Sequence, residues 1–401
     1  MGYSIGFMPW KETGIMNERV KMIGEYLTDG ESVSQLARYY GVSRKTVYKW
    51  IERYELMGPA GLEDLSRAPH HRPHALSHAN ERRILEWKSQ KPLWGAPKIH
   101  TKLKEELSQC PSETTVSNVL ARHGLTRKQH RRGRATPSES PLSGCVAVNQ
   151  VWSADFKGHF KTVDGQRCEP LTITDAHSRY LLCCRGLDQS TGSLVVKPLF
   201  ISAFREHGIP EAMRTDNGPP FASIGLGGLT ELSVWWIELG IRIERISPGK
   251  PQQNGRHERM HRTLKEATAN PPCRTLRQQQ GAFDVFRHEY NHERPHEALG
   301  QKPPASLYVA SRRKYPERMP PPRGYPADWA KRTVRPGGRI RWQGREVNLS
   351  RALCGREIGL EPIAEDRWAV HFECLQLGIY DQRKARIEPA KTLEWNDDLN
   401  S

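Results

Sequence analysis

Residues 148–290 narrow the fold more than any other part of the chain, because the pattern there changes from helical to alternating. VWSADF, CEPLTITDA and YLLCCRGL are short apolar runs suited to strands. Residues 194–207 then read as a helix and 211–215 as a strand. Residues 230–239 read as a helix, 241–244 as a strand, and 254–269 and 277–290 as two more helices. Three strands followed by helix, strand, helix, strand and helices form an α/β layout.

Inside the first strand, Trp152-Ser153-Ala154-Asp155-Phe156 places Trp152, Ala154 and Phe156 on one face and Asp155 on the other. A carboxylate within an apolar strand is costly unless it is satisfied, and a metal is one way to satisfy it. Asp216 lies in Arg214-Thr215-Asp216-Asn217-Gly218, where a strand runs into a turn. Strand ends are where α/β sheets place their chemistry, although Asp-Asn-Gly alone is ordinary turn chemistry. Glu258 opens a helix behind residues 247–255, a segment with two prolines and two glycines. At 100° per residue, Glu258, Arg262 and Lys265 share one helix face. Alone, Glu258 would read as a surface residue paired with Arg262. Two Mg²⁺ or Mn²⁺ ions about 4 Å apart need carboxylates from separate elements. Asp155, Asp216 and Glu258 supply such a set.

His257-Glu258-Arg259-Met260-His261 also matches H-E-x-x-H, the pattern of zinc peptidases. A zinc peptidase needs a third ligand downstream. No G-x-x-H follows, and Glu266 is too close to fold back. The basic surroundings suit phosphates better than a peptide, so His257 and His261 are expected to contact DNA or pack beside the site.

Upstream, residues 17–57 contain SQLARYYGVSRKTVYKWIERY. Leu36, Ala37 and Tyr40 fit one helix, Gly41 a turn, Ser43 an N-cap, and Val47, Trp50 and Ile51 the apolar face of a second helix. This is helix-turn-helix patterning. Arg44, Lys45, Tyr48, Lys49 and Arg53 on the second helix are the expected DNA contacts. Residues 58–78 form a Pro/His-rich linker, and 79–126 a second, helix-turn-helix-like unit with helices at 80–90, 98–107 and 112–123. Residues 122–134 hold six Lys or Arg and no acid. They read as an arm along DNA phosphates, with Arg131 and Arg132 foremost, or as a solvated tether. This basic linker extends to residue 147. A Pro-rich linker over 311–330 leads to a small β-barrel over 331–390, whose Lys331, Arg332, Arg335, Arg339, Arg341 and Arg345 make a basic edge.

Composition agrees with a polyanionic partner. The 401 residues carry a formal net charge of +16, which favours nucleic acid. Hydrophobic content of 36% excludes a wholly disordered chain. The eight cysteines form no C-x-x-C pair, which argues against a zinc finger. No apolar run is long enough to span a bilayer, so a cytoplasmic protein is expected, with translation starting at Met1 or Met8.

WSADFKGHF, TDNGPPF and PQQNGRHERMHRTLK resemble the integrase-core transposases of bacterial insertion sequences, as do TDAHSRYLL and YNHERPHEALGQKPPASLY. The resemblance runs from MPWKETGIMNER to the C-terminal region and is most specific over residues 150–310. It implies a ribonuclease-H-like catalytic core over 148–310, with Asp155, Asp216 and Glu258 as the acidic triad. Lys265 matches the basic residue seven places after the glutamate, and Arg256 and Arg262 are further candidate DNA contacts. Forty-one residues separate Asp216 from Glu258, more than in the family's retroviral members, and a Gly-rich insertion around 224–229 accounts for the excess. The retroviral His/Cys zinc domain is absent. The implied activity is cleavage at the ends of a mobile element and joining of the 3′-hydroxyl to target DNA. Its partners are double-stranded DNA (terminal inverted repeats and target) and a second copy in a dimer or larger synaptic assembly at the nucleoid. A rival is a catalytically inactive DNA-binding regulator.

Overall fold

The computed structural model describes residues 14–28, 30–65, 76–126, 145–188, 191–246 and 255–396. The chain divides into two compact units, Met1–Leu76 and Ser77–Ser401.

The first unit is three helices, α1 (Ile15–Thr28), α2 (Val33–Tyr39) and α3 (Arg44–Met57), closed by a 3₁₀ turn over Gly58–Leu62. Its core is Met22, Ile23, Leu36, Ala37, Val47, Trp50, Ile51 and Leu62. The turn between α2 and α3 rests on Gly41, whose φ of +64° is a conformation that side chains resist. Ser43 then caps α3, its hydroxyl accepting from the Thr46 N–H at 3.1 Å. Ser43→Ala is expected to destabilise this unit by about 1 kcal/mol, measured by thermal melting, because a first-turn N–H loses its acceptor.

The second unit opens with α4 (His78–Gln90), α5 (Ala96–Glu106) and α6 (Glu113–Arg122) around buried Ile84, Trp94, Ile99, Leu103, Val116, Val119 and Leu120. Of the expected basic arm, residues from 127 onward lie outside the described residues. Arg122 is still helical and pairs with Glu81 at 3.3 Å, and His123 meets the same carboxylate at 3.0 Å. These helices dock on the part that follows. Lys91 lies between Glu289 at 3.1 Å and Glu293 at 2.8 Å. The Lys98 ammonium donates to the Pro295 carbonyl, and burial lowers its pKa to about 8.

The central sheet contains β1 (Val151–Phe156), β3 (Arg167–Asp175), β4 (Leu181–Leu187), β5 (Ala212–Thr215) and β6 (Arg242–Arg245), in the order β4-β3-β1-β5-β6. A short β2 (Phe160–Lys161), which the apolar runs do not reveal, pairs with the start of β3. The first three long strands are antiparallel, whereas β1, β5 and β6 are parallel. Helices α7 (Ser193–His207) and α8 (Glu231–Glu238) cover one face, where Phe200, Phe204, Trp235 and Trp236 pack against Trp152, Ala154 and Ile173. Helices α9 (Gly255–Thr268) and α10 (Leu276–His288) cover the other, with Met260, Leu264, Phe283 and Phe286 against Cys168, Leu181 and Cys184.

The C-terminal strands do not close into the expected barrel among the described residues. Strands β7 (Ala330–Thr333), β10 (Glu357–Ala364), β11 (Arg367–Phe372), β12 (Leu375–Asp381) and β13 (Arg386–Trp395) form an open sheet in the order β13-β12-β11-β10-β7. Strands β8 (Arg339–Trp342) and β9 (Arg345–Asn348) make a separate hairpin. The apolar face is covered instead of wrapped: Ile358, Val370 and Leu377 pack with hairpin residues Ile340 and Val347 and with Leu229, Val234, Ile237 and Ile243 of the central part. Arg356 adds an ion pair to Glu238 at 2.8 Å. The Gly-rich insertion serves this junction. Arg245 donates to the Gly227 and Gly228 carbonyls at 2.9 and 2.7 Å, and a Cβ at Gly228 would meet its guanidinium at 1.9 Å.

Candidate active site

Two of the three predicted carboxylates are carried by neighbouring parallel strands. Strand β1 pairs with β5 through Val151↔Ala212, Trp152↔Met213 and Ser153↔Arg214. The last pair stands two residues before Asp155 on one strand and two before Asp216 on the other. Adjacent strands lie about 4.8 Å apart, so both aspartates leave the sheet at the same end and level. The predicted alternation holds: Trp152 and Ala154 are buried against α7 and α8, and Phe156 packs against the same cluster. Asp155 is half-buried. Asp216 is also half-buried, and its Oδ1 accepts from the Gly218 N–H at 3.3 Å. Burial pushes the Asp216 carboxyl above its ordinary pKa, against the opposing pull of that N–H.

The third carboxylate is on α9, and the residues beside it fix that helix in place. Thr172 of β3 sits opposite Asp155 in the ladder. Its Oγ1 lies 2.6 Å from His257 Nε2 and 2.7 Å from His261 Nε2, and donates to the Asp155 carbonyl at 3.1 Å. Thr174 Oγ1 is 3.3 Å from His257 Nδ1. These contacts clamp the first two turns of α9 on the sheet at the level of Asp155. Both rings are buried, and burial lowers the pKa of His257 to about 3 and that of His261 to about 2, the latter helped by neighbouring His257 and Lys157. Glu258, Arg262 and Lys265 lie on the exposed face of the helix, as their spacing predicts. Arg256 donates to the Ala176 carbonyl at 3.3 Å.

Among the described residues, the grouping of atoms able to hold a metal differs from the predicted triad. Asp155, His257 and His261 each present one ligand atom within 4.8 Å of the others. Asp216 and Glu258 lie outside that group. Of the two expectations for the histidines, contact with DNA or packing beside the site, the structure shows packing beside Asp155, through Thr172, which sequence reasoning missed. The available signals were the i, i+4 spacing of the histidines and the alternation of Thr172 with Thr174 on the Asp155 side of the sheet. Asp175, buried at the end of β3, is structural. It accepts from the Asn149 N–H at 2.7 Å and from the Ser178 N–H and hydroxyl at 2.7 and 2.6 Å, which shapes the turn into β4.

In the first unit, Arg44, Lys45, Tyr48 and Lys49 are exposed on one stretch of α3. Arg53 is half-buried, donates to the Glu63 carbonyl at 2.5 Å and lies 4.6 Å over the Trp50 ring, so its guanidinium braces the fold. Arg131 and Arg132 lie outside the described residues. Among the described residues no helix is long and apolar enough to cross a membrane.

Models of the integrase core domain match residues 146–251 and 239–304. A helix-turn-helix domain model matches residues 18–70, and a homeodomain-like model residues 46–120. The 31.7 kDa protein of insertion element IS407 from Burkholderia multivorans is 27% identical over 256 residues, covering 63% of this chain and 89% of that protein. The 39.2 kDa protein of insertion element IS476 from Xanthomonas euvesicatoria is 27% identical over 237 residues, 59% of this chain and 66% of that protein. A solved structure of the HTLV-2 integrase catalytic core domain in complex with magnesium is similar at 17% identity and a TM-score of 0.33, over 41% of this chain and 99% of that one. The chain thus carries integrase core domain matches over residues 146–251 and 239–304, with helix-turn-helix matches ahead of them, and is similar to proteins of bacterial insertion elements.

Proposed function

We propose that the protein is a DNA transposase that cuts at the ends of a mobile element and joins the freed 3′-hydroxyl to target DNA, with Asp155, Asp216 and Glu258 as its metal-binding carboxylates and Lys265 beside them. The observation that carries this reading is the shared register of β1 and β5, which brings Asp155 and Asp216 to one end of the sheet, while α9 is clamped to Asp155's own ladder partner. Three carboxylates are hard oxygen donors of the kind Mg²⁺ and Mn²⁺ take. The desolvated Asp216 fits such a cation, because a nearby positive charge offsets the cost of keeping its carboxylate ionised. Two bound ions would activate the attacking oxygen and stabilise the leaving one.

The chain's own residues supply position and charge. The clamp of Thr172, His257 and His261 fixes the helix that presents Glu258. Arg262 and Lys265 on the same exposed face offer cations to the scissile phosphates. Exposed Arg44, Lys45, Tyr48 and Lys49 on α3 bind the terminal inverted repeats, with the helix in the major groove. Arg131 and Arg132 extend the phosphate contacts. Synapsis of two ends requires a dimer or larger assembly. Residues His257 and His261 face the sheet and not a peptide cleft, which disfavours the peptidase reading.

Replacing Arg44, Lys45 and Lys49 together by Ala is expected to weaken binding to element-end DNA and to reduce the salt dependence of log K by about 2–3, since each lost phosphate contact removes about 0.9 from the slope. Fluorescence anisotropy at several salt concentrations measures this, and an unchanged slope would remove α3 from the interface. The test of activity is incubation of the full chain with labelled element-end DNA and Mg²⁺. A regulator would bind that DNA and leave it uncut.

A further inference from the structure

The H-E-x-x-H pattern leaves a feature that the proposed activity does not use. Its two histidines are buried one turn apart on the sheet-facing side of α9, with ring centroids 4.6 Å apart. A zinc peptidase takes its third ligand from downstream, but here a third ligand comes from upstream: Asp155 Oδ2 stands 3.9 Å from His261 Nδ1. The three ligand atoms lie within 4.8 Å of one another. We propose that Asp155, His257 and His261 form a binding site for a borderline-soft divalent metal of the zinc class, and that its occupation withdraws Asp155 from the catalytic carboxylates and switches DNA cleavage off. The switch rests on the catalytic role given to Asp155 above, whereas the metal site itself does not.

Two imidazoles and one carboxylate are the donor set of open zinc sites, and imidazole prefers zinc-class ions to Mg²⁺. Proton bookkeeping around Thr172 points the same way. Its hydroxyl has one proton and three neighbours at 2.6–3.1 Å. One assignment satisfies all three: the hydroxyl donates to the Asp155 carbonyl and accepts an N–H from each Nε2. Both rings then present Nδ1 as a lone pair: that of His261 faces the Asp155 carboxylate, and that of His257 accepts from the Thr174 hydroxyl at 3.3 Å, a contact that a bound metal would replace. A cation between two such acceptors is stabilised by both. With metal–ligand bonds of about 2.0–2.2 Å, tetrahedral ligands stand about 3.3 Å apart. The set therefore has to contract by roughly 1 Å, a distance within reach of side-chain rotation. Thr172 occupies the position of the outer partner that orients a ligating histidine through its other nitrogen.

The test is titration of the metal-free full chain with Co²⁺, read by visible absorption, with Zn²⁺ as competitor. The expected result is the intense spectrum of a four-coordinate site at one equivalent, bleached by Zn²⁺. Asp155→Asn and His261→Gln should each weaken Co²⁺ binding by more than about tenfold, while Glu258→Gln should leave the spectrum intact. Asp155→Asn is isosteric, so it reports even if His261→Gln loosens α9, and circular dichroism checks the fold of both. A spectrum that survives Asp155→Asn, or one showing thiolate charge transfer, would place the metal on the cysteines and overturn the site. Absence of a four-coordinate spectrum would overturn it as well. In the DNA-joining assay Zn²⁺ should stop the Mg²⁺-supported reaction, and a zinc chelator should restore it. Joining that continues with the cobalt-competent site filled would overturn the switch. A protein that joins no DNA but shows the spectrum would instead remove the transposase reading and leave the metal site standing.

Discussion

Asp155→Asn, Asp216→Asn and Glu258→Gln are each expected to lower end cleavage and joining by about a thousandfold or more, equivalent to about 4 kcal/mol of transition-state stabilisation. Each change keeps the size of the side chain and removes one negative charge. Phosphoryl transfer depends on positioning and on neutralising charge that spreads over the phosphate oxygens. A carboxylate lost from the set weakens the hold on the ions that neutralise it. Binding to element-end DNA should change little, because the proposed end-binding surface is α3 and not the sheet end. Single-turnover cleavage kinetics alongside anisotropy separate the two effects. A variant losing binding and cleavage in parallel would point to misfolding. A variant cleaving at the wild-type rate would remove that residue from the site.

Thr172→Val should have the second largest effect, on stability and catalysis together. Thr172 is fully buried and its hydroxyl serves His257, His261 and the Asp155 carbonyl. Valine keeps the shape but leaves two buried ring nitrogens without this partner. At about 1–3 kcal/mol for each unsatisfied buried group, the expected loss is about 2–6 kcal/mol in chemical denaturation. Because the same contacts set α9, and with it Glu258, the cleavage rate should fall while affinity for DNA is kept. Thr172→Ser restores the hydroxyl and should recover most of both. A Val variant with wild-type stability would show that the clamp contributes nothing to holding the helix.

Much of this architecture is legible in local pattern. The order of strands and helices through the central part follows from periodicity, because alternating residues such as Trp152 and Ala154 must all find one apolar face. The Gly41 turn and the Ser43 cap are equally local, resting on a left-handed φ and a side-chain acceptor. What sequence pattern misses is set by distant pairing. The Thr172–His257 contact spans 85 residues. It depends on the β1–β3 register and on how α9 lands on the sheet, and neither is encoded near Thr172. Arg122 fits both the basic arm and the helix read over 112–123, and it is the last residue of that helix, paired with Glu81. Arg53 carries charge like its neighbours on α3, yet its position over Trp50 turns it inward. In the C-terminal part, alternation identifies the strands but not closure. The apolar face is covered by α8 and the β8–β9 hairpin, and among the described residues the sheet is open.

On this proposal one site, built on Asp155, Asp216 and Glu258, both cuts and joins DNA. The most direct measurement follows an element end labelled at the 5′ terminus of the transferred strand, incubated with the full chain, target DNA and Mg²⁺ and resolved on a denaturing gel. The expected result is a nick at the element end followed by label covalently joined to the target, with both products absent when Mg²⁺ is chelated and when Asp155→Asn replaces the wild type. Label that stays at its original length with the wild-type protein, or joining that persists in Asp155→Asn, would contradict it.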